Sequence, residues 1–383
     1  MSSIDDKMYK IIQDPLNGPV KVSGIFLDII NSIYFQRLRY IKQLGLCNLV
    51  FPGANHTRFE HSIGTMFLAS EIKNYIGIND ERLEIAALLH DIGHTPFSHS
   101  IEDKFFENFG LIHEDLTSDI ITGKGIYGDS VIPEILNKYG YNPEEIADLA
   151  TGRNKKTVLS KIISGSLDVD ELDYLRRDSF YCGVNLGNID YKRIFNTIKI
   201  SENDIVGEEK SIPTIESAII GRVLMYSSVY FHKTCRIAQK MLGIAYELYN
   251  GKDKNDLRMN DYEFIYALEN DKKSSEIIKK IKSRNLYKII YRSSYSEDAL
   301  NNIREKMSVF DSDLYIIDVN PPLYFNEKSR LKTDFTVYYK DKKYEINKIS
   351  YIVNALNENI KRRDIIVSAD ESILTKAASI IKT

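Results

Sequence analysis

Leu88-Leu89-His90-Asp91-Ile92-Gly93-His94-Thr95-Pro96-Phe97-Ser98-His99 ends an apolar run with an adjacent His-Asp pair and places two further histidines close behind it. In the run that leads in, from Glu81 to Leu89, the residues Leu83, Ile85, Ala86, Ala87, Leu88 and Leu89 go nearly all round a helix, so that helix should be buried. The His-Asp pair therefore arrives where a buried helix gives way to a turn. Imidazole nitrogen and carboxylate oxygen suit a first-row divalent metal. Any histidine followed by aspartate satisfies the pattern, however, and a lone histidine after an apolar run is commonly a satisfied core or capping residue. The other ligands have to come from elsewhere in the chain.

Working outward, Thr57 is placed to cap a helix from Arg58 through His61 to Ile76, and before it Phe51-Pro52-Gly53-Ala54-Asn55 reads as a loop. Further upstream, apolar residues recur at helical spacing from Leu27 to Leu44, with Gly45 as the stop. Asp14-Pro15-Leu16-Asn17-Gly18-Pro19 is a turn in a hairpin-like entry between Tyr9 and Val22. Downstream, helices are expected over Ile101–Phe109, Glu114–Ile121, Ser130–Tyr139 and Pro143–Thr151, one opening at Asp168 and ending before Gly183, and one long helix over Ile215–Leu248. The middle of the chain thus reads as almost wholly helical. Asn250-Gly251-Lys252-Asp253-Lys254-Asn255-Asp256 is polar enough for a boundary. Beyond it, helical segments at Tyr262–Leu268 and Ser274–Ser283 are joined by strand-like stretches at Asp313–Val319, Thr333–Tyr339 and Ile365–Val367. Helices near Ile349–Asn359 and from Glu371 would pack on that sheet. The expectation is a mainly α fold, with a helical catalytic domain over residues 1–255 and a smaller α+β portion over residues 256–383.

At 383 residues the chain can bury a sizeable core. With 43% hydrophobic and 27% charged residues and no long uncharged apolar run, it has the composition of a soluble globular protein. The segment Met1-Ser2-Ser3-Ile4-Asp5-Asp6 has neither the basic nor the apolar region of a signal peptide, and Cys47, Cys182 and Cys235 show no CxxC spacing or disulfide framework; a cytoplasmic protein with reduced thiols is expected. A net charge of −3 gives no global attraction to nucleic acid or an anionic membrane, and clusters such as Lys361-Arg362-Arg363 read as solvated faces. There is no Walker A motif, no GxGxxG after a strand and no nucleophile elbow.

His61 lies upstream of the pair, and Asp170 lies downstream within Asp168-Val169-Asp170-Glu171-Leu172-Asp173-Tyr174. Two histidines and two aspartates from three helices make a mixed nitrogen and oxygen set that leaves positions for water and substrate. Asp170, Tyr174 and Asp178 are spaced by four and share a helix face. A second face joins Arg222, Tyr226, Tyr230 and Lys233, where cations aligned with tyrosines suit a phosphate-bearing substrate with a ring. Each feature alone has a plainer explanation, core tyrosines or a surface ion pair. Their joint occurrence is the signal.

In sum, these residues resemble the HD-domain metal-dependent phosphohydrolases, with His61, His90-Asp91 and Asp170 as the H…HD…D signature. Asp14-Pro15-Leu16-Asn17-Gly18, Phe35 through Gly45, Phe51-Pro52-Gly53-Ala54, Arg58-Phe59-Glu60-His61-Ser62, Leu89 through His99, Asp168-Val169-Asp170 and Tyr230-Phe231-His232-Lys233 are similar, in order, to the deoxynucleoside triphosphate triphosphohydrolase branch. That branch includes a vertebrate enzyme with an added sterile-alpha-motif domain, of which these residues hold no counterpart. The resemblance implies an HD helical core and one divalent metal ion (Fe, Mn, Zn, Co, Ni or Mg) on His61, His90, Asp91 and Asp170. It implies substrate contacts from Gln43, Arg58, Tyr174, Asp178, Arg222, Tyr230 and Lys233, with His94 and His99 facing the scissile phosphate and His113-Glu114 as a supporting pair. His99 is the preferred proton donor to the leaving oxygen, and His94 the second choice.

The resemblance further implies a nucleotide substrate, an activating nucleotide at Lys10, Asn31, Gln36 and Arg39, and a homodimer or homotetramer, with no membrane or nucleic-acid partner. Two departures bear on substrate. Asn31 replaces a guanine-reading aspartate, and an amide cannot accept both guanine N–H bonds. Glu171 stands where the vertebrate relative has a lysine facing the phosphates, so it is expected to repel a triphosphate. The leading expectation is hydrolysis of deoxynucleoside triphosphates to deoxynucleoside and tripolyphosphate. The alternatives are an HD phosphohydrolase or phosphodiesterase acting on other nucleotides or nucleic acid ends, and a non-catalytic nucleotide sensor or nucleic-acid-binding regulator.

Overall fold

A computed structural model describes residues 9–153, 157–320, 334–359 and 363–382. Met1–Asp6, residue 333 and the Lys361-Arg362 part of the basic cluster lie outside the described residues. The antiparallel hairpin forms as expected, with strands Tyr9–Asp14 and Gly18–Ser23. Its turn is held by Asp14, whose Oδ1 accepts the backbone N–H groups of Leu16 and Asn17 at 2.9 and 2.8 Å. Helix Arg58–Ile76 begins after Thr57 and ends at Gly77, which takes a left-handed conformation. Arg82–Leu89 is buried all round except at its first residue, as its apolar pattern requires. Helices Glu102–Phe109, His113–Thr122, Val131–Lys138 and Pro143–Ala150 follow, and Val169–Cys182 is capped by Asp168, whose Oδ1 accepts from Glu171 N at 2.7 Å. Among the described residues, no helix is long and apolar enough to cross a membrane.

Several expectations are corrected. The periodic stretch Leu27–Leu44 is two short helices, Gly24–Asn31 and Ile33–Arg37, followed by a 3-10 turn over Leu38–Tyr40. From Ile41 the backbone is extended so that Lys42 pairs with Thr57. Gly45 opens a further 3-10 turn at φ +53° and does not end a helix. Ile215–Leu248 is not one helix either. Ile212–Met225 runs into a π-helical turn over Tyr226–Tyr230, and a new helix starts at Lys233. A π turn rotates the residues after it out of the 3.6-residue phase, so 222, 226, 230 and 233 do not form one stripe.

The middle of the chain also carries a strand pair, Ile198–Ser201 and Asp204–Gly207, which joins Thr336–Tyr339 and Lys342–Glu345 in a four-stranded sheet through Gly207 and Val337. The last sheet has Asp364–Ala369 at its centre, antiparallel to Lys288–Ser294 and Tyr315–Val319. The closing helix Leu374–Lys382 packs on it as expected. Tyr351–Asn359 does not; it lies on helix Ile212–Met225, with Val353 in the main core. Two apolar clusters result. The large one runs from Val20 to Val353, and a small one joins Leu300, Ile303, Met307, Ile365, Val367, Ala369, Ala377 and Ile381 under the last sheet.

Candidate metal and phosphate site

Helix Arg58–Ile76 carries His61 inward one turn from its start, and the end of Arg82–Leu89 delivers His90 and Asp91 to the same point. His61 Nε2 lies 2.9 Å from Asp170 Oδ1, 3.6 Å from Asp91 Oδ2 and 3.2 Å from His90 Nε2. His90 Nε2 is 3.4 Å from Asp91 Oδ1 and 3.6 Å from Asp170 Oδ1. The ring orientations are set from behind. His90 Nδ1 donates to Ala87 O at 2.7 Å and His61 Nδ1 to Asp173 Oδ2 at 2.9 Å, so in the neutral rings both Nε2 atoms present lone pairs to each other. Two facing lone pairs between two carboxylates need a cation or a proton. Burial opposes charge on His61, yet hydrogen bonds from Asp170 and Asp173 lift its pKa to about 10. This donor set fits a divalent transition metal. Asp170 is the most open of the four, its side chain 35% exposed.

A buried chain of charges stands behind His61. Asp173 accepts from Arg177 Nε at 2.7 Å and from a terminal guanidinium nitrogen at 2.9 Å, and Arg177 reaches Asp14 Oδ2 in the hairpin turn at 2.9 Å. Arg177 and Asp173 occupy the space that a side chain at Gly64 would need, which is why this helix carries glycine there. Arg58 donates to Asp91 Oδ2 at 2.6 Å and to Ser98 Oγ at 2.9 Å. It is thus tied to the Asp91 carboxylate, not extended toward solvent. Burial pushes the Asp91 carboxyl up, but the charges of Arg58 and His90 hold it well below the usual range.

Beside the four-ligand group the remaining histidines stack. His94 lies on His113 at 4.1 Å between ring centroids, with its Nε2 3.2 Å from Asp91 Oδ1 and its Nδ1 buried without a hydrogen-bond partner. Burial, then the positive charges of Arg58 and His113, push its pKa well below the ordinary histidine value. His99 Nδ1 donates to Glu102 Oε2 at 2.8 Å, and Glu102 Oε1 accepts from His113 Nδ1. Glu102 therefore holds both rings. Glu114, the expected carboxylate, is only 3.2 Å from His113 Nδ1 and is 40% exposed, so water screens it. The backbone at this corner is strained, with Phe97 and Ser98 at φ +57° and +52°. Asp261 holds it by accepting from Phe97 N at 2.7 Å and Lys42 N at 2.9 Å.

On the far side, Asp178 accepts from Tyr230 OH and His56 Nε2, both at 2.7 Å, and His56 stacks on Tyr181. Tyr174 meets His61 and Tyr230 edge-on at 6.5 and 6.3 Å. The π turn is what aims Tyr230 at Asp178. Gln43 Oε1 is buried with no hydrogen-bond partner among the described residues. Arg222 is fully buried and ion-paired with Glu171, which corrects two expectations: Glu171 is neutralised and does not face a triphosphate as a bare carboxylate, and Arg222 spends charge on it. Lys233 is exposed at the first position of its helix.

Residues 58–178 match the HD domain and residues 189–369 the HD associated region. A protein of Methanocaldococcus jannaschii is 36% identical over 363 residues, which is 93% of this chain and 74% of the other. The chain belongs to the HD-domain phosphohydrolase family. The human deoxynucleoside triphosphate triphosphohydrolase SAMHD1 is 29% identical to this HD-domain protein over 345 residues, covering 73% of this chain and 55% of the human one. A crystal structure of an Aquifex aeolicus protein superposes with a TM-score of 0.83 at 32% identity, covering 98% of this chain and all of that one. A phosphohydrolase from Bacteroides thetaiotaomicron gives 0.75 at 29%, covering 95% and all of that chain.

Sequence reasoning had not singled out several groups of this HD domain: Asp14, His56, Ser98, Glu102, Asp173, Arg177 and Asp261. Glu102 had a local signal, three residues after His99 at a helix start. Of the surface quartet, Lys10 Nζ is 3.5 Å from Asn31 Oδ1. Gln36 donates to Ile30 O at 2.6 Å and accepts from Arg39 Nε at 2.9 Å, while the Arg39 guanidinium lies 3.5 Å above the Phe59 ring. The quartet thus sits as two internally bonded pairs.

Proposed function

We propose that this protein hydrolyses deoxynucleoside triphosphates to deoxynucleoside and tripolyphosphate. The observation that carries the reading is the convergence of His61, His90, Asp91 and Asp170 beside a wall built from Tyr174, Asp178 and Tyr230. A divalent metal held by those four groups supplies Lewis-acid polarisation of a phosphoryl oxygen and lowers the pKa of water. The chain's own residues do the rest. Asp173 and the Ala87 carbonyl fix the two ligand rings, and Arg58 offsets the charge of Asp91. Tyr174 and Tyr230 supply aromatic surface for a nucleoside, and buried Asp178 positions Tyr230 by accepting from its hydroxyl. His99 gives the departing oxygen its proton. His94 is unsuited to that task because burial holds it neutral, whereas His99 is more than half exposed and its Nδ1 is anchored on Glu102, leaving Nε2 for transfer.

Phosphate-product analysis on a panel of deoxynucleoside and ribonucleoside triphosphates with Mn, Mg or Co tests the reading, with and without a second nucleotide as activator. Tripolyphosphate with free deoxynucleoside is the expected result. Orthophosphate or nucleotide fragments would replace it by a different HD phosphohydrolase activity. Replacing His99 by Ala should leave metal bound and lower turnover by about 10²- to 10⁴-fold. We further propose a homodimer or homotetramer, as the family resemblance of the sequence implies.

A further inference from the structure

Glu102 and the two histidines it holds form a second set of groups able to bind a metal, beside the His61 group. One ligand atom from each of His99, Glu102 and His113 lies within 4.8 Å of the others. His99 Nδ1 is 2.8 Å from one carboxylate oxygen, and the other faces His113 Nδ1 and also accepts the His113 backbone N–H at 3.1 Å. The two imidazole rings stand edge to face at 5.1 Å. We propose that His99, Glu102 and His113 bind a second, exchangeable transition-metal cation such as Zn²⁺, and that its binding inhibits the enzyme.

The chemistry is that of a two-histidine, one-carboxylate site. Two imidazole nitrogens and a carboxylate oxygen supply three protein ligands suited to zinc, with water free to complete the sphere. Imidazole donors favour zinc, copper or nickel over magnesium. Access separates this set from the deeper one. The His99 side chain is 59% exposed, against none for His61, so a cation arriving from solvent meets it first and leaves it readily. Glu102 is held from both sides, since one oxygen accepts from the start of helix His113–Thr122 and the other from His99 in the 3-10 turn Ser98–Ser100. A cation there takes up the nitrogens of His99 and His113 and shifts the ring that the proposed reaction uses as its acid. Inhibition follows from occupation alone, without any change of fold.

The inhibitory half rests on the proposed hydrolysis, whereas the binding half does not. Protein carrying Mn²⁺ at the His61 group is dialysed against Zn²⁺, the bound metals are counted, and crystals are soaked for anomalous scattering at the zinc edge. Wild type should hold two metals per chain, with a zinc peak between His99, Glu102 and His113. Glu102→Gln should weaken the second equivalent by about tenfold or more while keeping the first. H113Q, checked for folding by circular dichroism, should do the same. A zinc peak only at the His61 group, or a second equivalent indifferent to both variants, overturns the site. Binding of the second zinc without loss of turnover overturns the inhibitory role. If no nucleotide is turned over at all, the metal count still decides the site.

Discussion

Around His61 the interior of this protein is polar: Asp14, His56, Arg58, Asp91, His94, Asp173, Arg177 and Asp178 are all at most 5% exposed. Under the last sheet, the cluster of Leu300, Ile303, Met307, Ile365, Val367, Ala369, Ala377 and Ile381 is wholly apolar, and the Arg292–Asp364 ion pair is left at its rim. The second arrangement is the one that apolar burial favours. The first opposes it, because each buried charge sheds its water and regains the loss only through well-placed partners. The difference teaches where the fold gives up stability for a site. Substitutions in the polar pocket should disturb binding and turnover out of proportion to stability, and substitutions under the sheet should do the reverse.

The largest expected effect is at the ligands themselves. His61→Ala or Asp170→Ala should abolish metal retention and reduce phosphohydrolysis by more than about 10³-fold, as read by metal analysis and product release. An active, metal-free variant would break the contrast outright. Next is pH. Burial raises the Asp261 carboxyl to about 6, so its protonated form is favoured on folding. Its contribution to stability is complete below the unfolded value near 4 and is lost as pH rises through about 6, by roughly 3 kcal/mol. Denaturant unfolding from pH 4 to 7 should show this component in wild type and not in Asp261→Asn.

Behind the ligands, Asp173→Asn should cost about 10- to 100-fold in metal affinity by calorimetry, since it removes the charge that orients His61. Unchanged affinity would reduce Asp173 to a packing residue. The smallest effects belong to the sheet. Ile365→Val should lower stability by about 1 kcal/mol and Arg292→Ala by less than about 0.5 kcal/mol, with metal affinity untouched by either. A loss of metal affinity from either would show that the two regions are coupled.

The helices that bring His61, His90, Asp91 and Asp170 together were legible in sequence because their signals are local. An apolar run that goes all round a helix declared Arg82–Leu89, Thr57 marked the start of Arg58–Ile76, and Asp168 announced the helix that carries Asp170. What escaped was set by tertiary partners. Arg177 and Asp173 look like any i, i+4 surface pair, and only the fold buries them against His61 and Asp14. The π turn at Tyr226–Tyr230 could not be told from ordinary helix by periodicity, and with it went the true direction of Tyr230. Glu171 read as a repulsive charge because its partner, Arg222, is 51 residues away. The added strands at Ile198–Ser201 and Lys342–Glu345 are short local hairpin partners, and the two hairpins meet only through Gly207 and Val337, 130 residues apart.

Asp14 divides its two oxygens between two tasks, one closing the hairpin turn and the other holding Arg177, which holds Asp173, which holds His61. The hairpin and a metal held on His61 would therefore be thermodynamically linked. A cation that binds only when His61 is correctly held contributes its own binding free energy to the docking of strands Tyr9–Asp14 and Gly18–Ser23, about 2.7 kcal/mol at a hundredfold excess over its dissociation constant. Chelation withdraws that contribution from a surface element some four residues removed, through contacts, from the ion. With a metal on the His61 group, its supply would govern how firmly the hairpin, with Lys10 on it, is clamped to the rest of the molecule.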